Sequence, residues 1–199
     1  MARILVALSG GVDSSVTAAL LLRQGHEVMT ATLKTFCYAD FPGGPKSCCG
    51  LEGIDTAREV ASSLGVPHVV YDVSERFRRE VIDDFVAEYV AGRTPNPCVL
   101  CNATVKIPDL WERARRLGCD AIATGHYARV IPTDDGYGLF RGTDLAKDQS
   151  YFLWAIPREV LEYVLFPLGE FSKPQVRSVA RQLGLSSAGK PESQEICFV

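Results

Sequence analysis

A short apolar run stands directly before a glycine-rich turn at the start of this chain, and that order restricts the possible fold more than any other feature. Residues 4–8 predict a buried strand, and residues 14–24 predict a helix that Gly25 ends. Between them lies Ser-Gly-Gly-Val-Asp-Ser-Ser over residues 9–15. A strand, a turn and a helix in this order open a parallel α/β sheet, and such sheets bind ligands at the carboxyl ends of their strands.

The same alternation continues along the chain. Further strands are predicted over residues 28–33, 69–73 and 121–124, and helices over 54–64, 74–91 and 102–117, with Ser74 as a helix cap. Parallel strands joined by helices are covered on both faces, so the pattern predicts an α/β fold with a doubly wound parallel sheet. A β-hairpin is predicted over residues 127–131 and 137–141. We expect residues 142–168 to form an extension beside the core. A further helix is predicted to begin after its cap, Ser172, and to end before Gly184.

Composition excludes several classes of protein. The longest apolar stretches, such as residues 16–22, fall far short of the roughly 18 residues that a membrane span needs, and no signal-peptide pattern follows Met1. Seven cysteines, an odd number, argue against a disulfide framework, so we expect a cytoplasmic protein without a membrane partner. The net charge of -3 means that local basic patches would have to bind any nucleic acid.

The glycine-rich turn has the composition of an anion site. Gly10 and Gly11 let the backbone approach a phosphate, the serines supply hydroxyl donors, and the helix that follows supplies free N–H groups. The turn is not a Walker A loop, since no Gly-Lys-Ser/Thr follows, and Asp13 is better explained as a ligand of Mg²⁺. A simple capped turn would need neither the second glycine nor the aspartate.

Residues 9–14 also match the pyrophosphate-loop (PP-loop) motif of the ATP pyrophosphatases, and further blocks narrow the resemblance. These blocks are Cys48-Cys49, residues 92–97, Cys101-Asn102, and residues 123–129, 147–153, 166–169 and 196–198. In this order they resemble the tRNA-specific 2-thiouridylase (MnmA/TrmU) family over essentially the whole chain. The resemblance implies an adenine nucleotide alpha-hydrolase-like fold, with a catalytic PP-loop domain over residues 1–141. It also implies an extension over 142–199 that holds a tRNA-contact loop and a second catalytic cysteine, and we expect the family's C-terminal β-barrel to be absent.

The resemblance implies a two-stage reaction. ATP adenylates O2 of the wobble uridine of a tRNA, and sulfur then displaces AMP to give 2-thiouridine. Cys101 would be the nucleophile, and Cys197 would carry a persulfide that a sulfur-relay protein or a cysteine desulfurase supplies. Cys101 directly precedes the helix predicted from residue 102, and a helix N-terminus favours a thiolate.

The resemblance also implies which residues line the site. The residues expected to bind ATP are Ala7, Leu8, Ser9, Gly10, Gly11, Val12, Asp13, Ser14, Ser15, Leu33 and Gly125, with Asp13 also catalytic through Mg²⁺. The residues expected to contact the target base and tRNA are Asn96, Pro97, Cys98, His126, Lys147, Asp148 and Gln149.

Cys98 departs from the family pattern, because many relatives carry aspartate there. With Cys101 and Cys197 it makes three thiolates, which could hold a 4Fe-4S cluster whose open iron binds the sulfur to be transferred. Alternatively, Cys98 and Cys101 form a redox pair, or Cys98 simply replaces the aspartate and a persulfide works without metal. Zinc is a weaker alternative because no fourth ligand is evident. The sequence leaves the cluster and persulfide routes open.

Two other functions remain compatible with the sequence. One is ATP-dependent sulfur transfer to a small molecule or free nucleobase, which differs in that pyrophosphate release would not depend on tRNA. The other is a non-catalytic sulfur or iron–sulfur carrier, which would not bind ATP. Cys48 and Cys49 are interpreted as structural or accessory, and Cys119 as a core residue.

Overall fold

The computed structural model describes residues 1–35, 51–191 and 196–198. The interpretation of Cys48 and Cys49 therefore lies outside the described residues. The strands, in chain order, are β1 (Arg3–Ala7), β2 (Glu27–Lys34), β3 (His68–Asp72), β4 (Ala121–Ala123), β5 (Ala128–Thr133), β6 (Gly136–Arg141) and β7 (Val164–Leu165).

Five of these strands form one parallel sheet in the order β3-β2-β1-β4-β7, which confirms the predicted doubly wound fold. The chain order reverses between β1 and β4, where Val6 pairs with Ala123. Open sheets of this kind bind ligands at that reversal, beyond the carboxyl ends of the strands. Strands β5 and β6 form the separate antiparallel hairpin that the sequence predicted.

The edge strand β7 comes from the part of the chain that was expected to lie beside the core. Its Val164 pairs with Ile122 and its Leu165 with Ala123, so this later segment completes the central sheet. The sheet thus contains residues from both sides of position 141. The division of the chain into two domains at that position stays a prediction.

The helices cover both faces of the sheet. They are α1 (Val12–Arg23), α2 (Leu51–Ser63), α3 over 74–90, α4 over 97–116, α5 (Arg158–Leu161) and α6 (Lys173–Gln182). Short 3-10 segments lie at Ser150–Phe152 and Ser186–Gly189. Helix α3 contains the π-helical turn Arg78–Ile82, and α4 contains the π-helical turn Cys101–Lys106.

Alternating side chains of β1 explain the two covered faces. Ile4 and Val6 pack against Ala18 and Leu21 of α1, whereas Leu5 packs on the other face in the cluster that contains Leu110 of α4. Successive side chains of a strand point to opposite faces, so an unbroken apolar strand is buried from both sides. Within the described residues, we find no helix long and apolar enough to cross a membrane.

Helix α4 begins five residues earlier than predicted. Asn96 is its N-cap, and its side-chain oxygen accepts the N–H groups of Cys98 at 3.2 Å and Val99 at 3.3 Å, while Pro97 takes the first helical position. Cys101 therefore lies one turn inside the helix, at the start of the π-helical turn. The prediction that Cys101 directly precedes a helix is wrong, because the Asn-Pro start signal precedes it.

Helix α3 also differs in its first turn. Ser74 is the first helical residue rather than the cap, and Asp72 accepts its N–H at 3.0 Å and its hydroxyl at 2.5 Å. Lys34 donates to the other carboxylate oxygen of Asp72 at 2.7 Å. The hydrogen bond from Lys34, followed by those from Ser74, lowers the pKa of Asp72 to about 2.

Candidate functional site

A cleft of about 520 Å³ opens at the carboxyl edge of the sheet, where β1 and β4 end. Every residue expected to bind ATP lines it except Gly10 and Ser15. Of the residues expected to contact the base and tRNA, His126, Lys147, Asp148 and Gln149 line it, whereas Asn96, Pro97 and Cys98 do not. The cleft therefore brings together residues from β1, β2, β4 and the segment after the hairpin.

Hydroxyl groups hold the glycine-rich loop in shape. The Ser14 Oγ accepts the N–H of Ser9 at 3.2 Å and donates to the carbonyl of Gly11 at 3.1 Å. The Ser15 hydroxyl donates to the same carbonyl at 2.8 Å and is buried. Ser15 thus stabilises the loop from a buried position, whereas Ser9 and Ser14 line the cleft.

Two glycines in the site are required by close packing. Gly10 has a φ of +77°, and a Cβ there would stand 2.3 Å from the carbonyl oxygen of Gly53 in α2. A Cβ at Gly125 would stand 2.8 Å from the backbone nitrogen of Ser14. Gly10 therefore lets the loop meet α2, and Gly125 lets the end of β4 meet the loop.

A buried ion pair crosses the base of the cleft. The Lys173 ammonium donates to the two carboxylate oxygens of Asp13 at 2.8 and 2.7 Å, and the Tyr127 hydroxyl donates to Asp13 at 2.8 Å. The ammonium also lies 5.7 Å from the centroid of the Tyr127 ring. The Lys173 side chain is 8% exposed and that of Asp13 is 31% exposed. The pair fixes α6 to the loop across 160 positions of sequence.

Lys173 is a site residue that the sequence analysis missed. It is the first residue of α6 and lies between Ser172 and Gln175, which form the capping box. A lysine at that place opposes the positive end of the helix dipole. This local conflict was the one signal in the sequence that an acidic partner lies nearby.

His126 is a neutral group at the cleft wall. Its Nδ1 lies 2.7 Å from the Thr124 hydroxyl, and its ring meets that of Phe166 edge-on at 5.9 Å. Burial, followed by the charge of Lys106, lowers the pKa of His126 to about 3. At physiological pH the imidazole is therefore neutral, with one ring nitrogen that donates a hydrogen bond and one that accepts.

Lys147, Asp148 and Gln149 form one edge of the cleft. Gln149 pairs with the backbone of Tyr127 in both directions, at 3.0 and 2.8 Å. Burial raises the pKa of Asp148, but the hydrogen bonds from Gly142 and Ser150 outweigh it, so the pKa is lowered on balance. Asp148 and Gln149 thus hold the edge in place beside Lys147.

Thr35 is a second cleft residue that the sequence analysis missed. It lies directly after β2, and its hydroxyl oxygen is buried without a hydrogen-bond partner among the residues that the structure describes. A buried polar group without a partner is costly, so a ligand that supplies one is favoured there. Nothing in the local sequence distinguishes Thr35 from other threonines.

The four described cysteines occupy three different environments. Cys101 is 9% exposed and lines the cleft, within an apolar cluster that includes Leu33 and Phe77. Cys197 packs against that cluster, and the ring of the next residue, Phe198, lies 5.7 Å from that of Phe77. Cys119 is buried in another cluster, where burial raises the pKa of its thiol. Cys98 is half-buried outside the cleft.

Among the residues that the structure describes, no metal-binding group of three cysteines is found. In the described ranges, no three histidine, cysteine, aspartate or glutamate side chains lie close enough together to hold a metal ion. Cys98, Cys101 and Cys197 thus do not form a ligand set here, although the last two share one cluster. The 4Fe-4S site that the sequence left open therefore stays a prediction.

Solved structures with the same fold include two thiolation enzymes. The U34-tRNA thiolase NcsA from Methanococcus maripaludis, solved with its 4Fe-4S cluster, matches 98% of this chain and 60% of its own, with a TM-score of 0.59 and 17% identity. A 4-thiouridine synthetase in complex with RNA and ATP matches 96% and 43%, with a TM-score of 0.60 and 18% identity. The fold is that of the PP-loop adenine nucleotide alpha-hydrolase-like enzymes.

Sequence relatives are much closer. The family model described as the tRNA methyl transferase HUP domain matches residues 2–199. The tRNA-specific 2-thiouridylase MnmA of Geobacter metallireducens is 54% identical over 99% of this chain and 55% of its own length. That of Rickettsia typhi is 51% identical over 100% and 56%. The chain thus spans about half the length of these curated relatives, and it belongs to the tRNA-specific 2-thiouridylase MnmA family.

Proposed function

We propose that this chain carries the active site of an ATP-dependent tRNA sulfurtransferase, which adenylates O2 of the wobble uridine and replaces that oxygen with sulfur. The observation that carries the proposal is that Cys101 lines the same cleft as the PP-loop, while Cys197 packs against the cluster around Cys101. The relatives named tRNA-specific 2-thiouridylase support the choice of tRNA and of 2-thiouridine.

The cleft offers distinct surfaces to the parts of ATP. The N-terminus of α1 and the hydroxyls of Ser9 and Ser14 suit the phosphates, with the Lys173 ammonium at the base of the cleft. The end of β2, with apolar Leu33 and the Thr35 hydroxyl, suits the nucleoside. The loop has no cation of its own, and Lys173 supplies one from a distant helix.

Asp13 fits the role of a Mg²⁺ ligand. Mg²⁺ in nucleotide sites takes one or two carboxylates together with phosphate oxygens and water, and Asp13 presents a carboxylate on the cleft wall. When bound there, Mg²⁺ would neutralise charge on the phosphates. Lys173 holds that carboxylate in place by donating to both of its oxygens. Asp13 would thus lie between the Lys173 ammonium and a Mg²⁺ that also contacts the phosphates.

In the first stage, O2 of the uridine attacks the α-phosphorus of ATP and pyrophosphate leaves. The base becomes an adenylate, in which AMP is a good leaving group. Lys106 and Lys147 on the cleft wall place positive charge where phosphates of ATP and tRNA would meet. His126, being neutral, is suited to hydrogen bonding with the base.

In the second stage, the outer sulfur of a Cys197 persulfide attacks C2 and AMP leaves. The Cys101 thiolate then attacks the inner sulfur of Cys197 and breaks its bond to the outer sulfur. The electron pair of that bond stays on the base as 2-thiouridine, and a Cys101–Cys197 disulfide forms. This route uses no metal.

A sulfur-relay protein or a cysteine desulfurase would supply the outer sulfur to Cys197. The Cys197 segment lies on the surface of the Cys101 cluster and is half-buried, so it is placed to receive sulfur before the tRNA arrives. We place these exchanges in the cytoplasm, where thiols stay reduced between turnovers.

The test is anaerobic incubation with ATP, Mg²⁺, unmodified tRNA, and a cysteine desulfurase with cysteine as the donor of persulfide sulfur. Nuclease digestion and mass spectrometry measure 2-thiouridine, while AMP and pyrophosphate are measured in parallel. We expect all three products from the unaltered protein and from Cys119→Ser, which changes a buried thiol outside the cleft. Cys197→Ser should still adenylate the tRNA and release pyrophosphate but form no 2-thiouridine.

Other outcomes would point to other functions. Pyrophosphate release that is unaffected by tRNA would indicate a small acceptor, and no ATP binding at all would indicate a sulfur carrier. Full thiolation by Cys197→Ser would refute the persulfide role of that residue. Thiolation that is lost when iron is removed, and restored by iron, would overturn the metal-free route.

A further inference from the structure

Among the described cysteines near the site, Cys98 is the one for which the proposed reaction has no use. It is half-buried and lies outside the cleft, in the first turn of α4, and Asn96 holds its backbone N–H at 3.2 Å. Cys101 follows one turn later and is nearly enclosed. Of this Cys-x-x-Cys pair, Cys98 is thus half-buried outside the cleft and Cys101 lines the cleft.

The backbone sets these two cysteines at a separation that a disulfide can bridge. The chain is helical from Pro97 through Cys101, and the Cys101 N–H points to the carbonyls of Pro97 and Cys98. Helical geometry puts Cα atoms three positions apart at about 5 Å, inside the range of about 4.4–6.8 Å found in disulfides. Formation of this bond would leave the helix in place.

We propose that Cys98 is the resolving thiol of the reaction cycle. The proposal rests on the proposed function, which leaves a Cys101–Cys197 disulfide after each turnover. The Cys98 thiolate, having lost its proton to solvent, attacks the sulfur of Cys101 and breaks the Cys101–Cys197 bond. Cys197 departs as a thiolate, free to accept the next sulfur, and a Cys98–Cys101 disulfide forms. A protein dithiol then reduces this disulfide and is itself oxidised to a disulfide.

The role of Cys197 gives the reason for a second disulfide. Cys101 is 9% exposed, whereas Cys98 and Cys197 are both half-buried, and Cys197 must be a thiolate again before it can accept the next sulfur. Thiol–disulfide exchange requires the attacking sulfur to reach its target in line. Transfer of the disulfide to Cys98 releases Cys197 for the next sulfur, while a protein dithiol reduces the Cys98–Cys101 bond from the half-buried Cys98 side.

The first experiment needs neither ATP nor tRNA. The folded protein is oxidised with diamide, its free thiols are blocked, and its tryptic peptides are analysed by mass spectrometry. Residues 94–106 form one peptide that holds both Cys98 and Cys101, whereas Cys197 falls in the peptide that begins at residue 182, because Pro191 blocks cleavage after Lys190. The two possible disulfides therefore give different products, one internal and one cross-linked.

We expect the unaltered protein and Cys119→Ser to give mainly the internal 94–106 disulfide, with Cys197 blocked as a free thiol. Cys98→Ser should give mainly the cross-link between Cys101 and Cys197. The proposal is overturned if the unaltered protein accumulates the cross-link, or if Cys98→Ser leaves Cys197 as free as before. This result does not depend on whether the protein thiolates tRNA.

The second experiment follows successive turnovers of thiolation with a protein dithiol as the reductant. In Cys98→Ser, turnovers after the first should slow to the timescale of unassisted disulfide rearrangement, on the order of minutes to hours. A small phosphine, which reduces enclosed disulfides directly, should restore them. A slow rate that phosphine does not restore would assign Cys98 a structural role instead. Absence of thiolation in the unaltered protein would contradict the proposed function and leave the disulfide result standing.

Discussion

The ion pair between Lys173 and Asp13 allows a quantitative test of how the site is held together. The change Lys173→Met removes an ammonium that lies 2.8 and 2.7 Å from the two oxygens of Asp13. Of the described side chains that hydrogen-bond to that carboxylate, the Tyr127 hydroxyl, at 2.8 Å, would then remain. Removing one partner of a buried pair costs about 3–5 kcal/mol, and the 31% exposure of Asp13 places the expected loss of unfolding free energy near the lower limit.

A double change separates charge from packing. With Asp13→Asn added to Lys173→Met, no charge is left without a partner. We expect the double variant to recover about 2 kcal/mol of the unfolding free energy that the single variant loses, because removal of both charges is often nearly neutral.

Urea denaturation followed by circular dichroism measures these free energies, provided that the dependence on urea stays the same across the variants. The control is Arg116→Met, which breaks a 2.5 Å ion pair with Glu112 whose side chains are 74% and 56% exposed. That change should stay within about 0.5 kcal/mol of the unaltered protein. The reasoning is refuted if Lys173→Met costs no more than Arg116→Met, or if the double variant is no more stable than Lys173→Met.

Three further predictions concern glycines and titrating groups. Gly10→Ala should lower the unfolding free energy, measured in urea, by about 2 kcal/mol more than Gly25→Ala. Both glycines have a positive φ, but a Cβ at Gly10 would stand 2.3 Å from backbone and one at Gly25 would meet nothing. Equal losses of unfolding free energy in the two variants would contradict this. The His126 imidazole should show no NMR titration between pH 8 and 5, because its pKa is about 3, and the stability linked to it should be complete above pH 6.5 and fall as pH drops from 6.5 towards 3; a midpoint near 6.5 would disprove its burial. The pKa of Asp72 is lowered, so the stability linked to it should be complete above its ordinary value of 3.8 and be lost as pH falls towards 2. Because the Asp72 side chain is 54% exposed, Lys34→Met should reduce the unfolding free energy that is lost between pH 3.8 and 2 by less than about 1 kcal/mol. Urea denaturation at several pH values measures this difference.

Local pattern was sufficient for most of the elements. The apolar run of β1 and the glycines behind it predicted a strand and a turn, and Ser172 with Gln175 forms the cap that the sequence indicated at the start of α6. Each of these signals acts over a few residues, because strand alternation and helix capping are short-range effects. The helix was predicted only from residue 102, and its start was missed because the Asn96-Pro97 pair, a cap followed by an N1 proline, was not used as a start signal.

The sequence by itself determined the alternating α/β order, the phosphate-type loop and the family, because these depend on spacing within short segments and on the order of the motifs. Only the tertiary structure decided that Lys173 meets Asp13, that Cys197 packs on the cluster around Cys101, and that Val164 pairs with Ile122 at the edge of the sheet. These contacts join positions between about 40 and 160 apart, and they follow from which apolar faces pack together rather than from any local pattern.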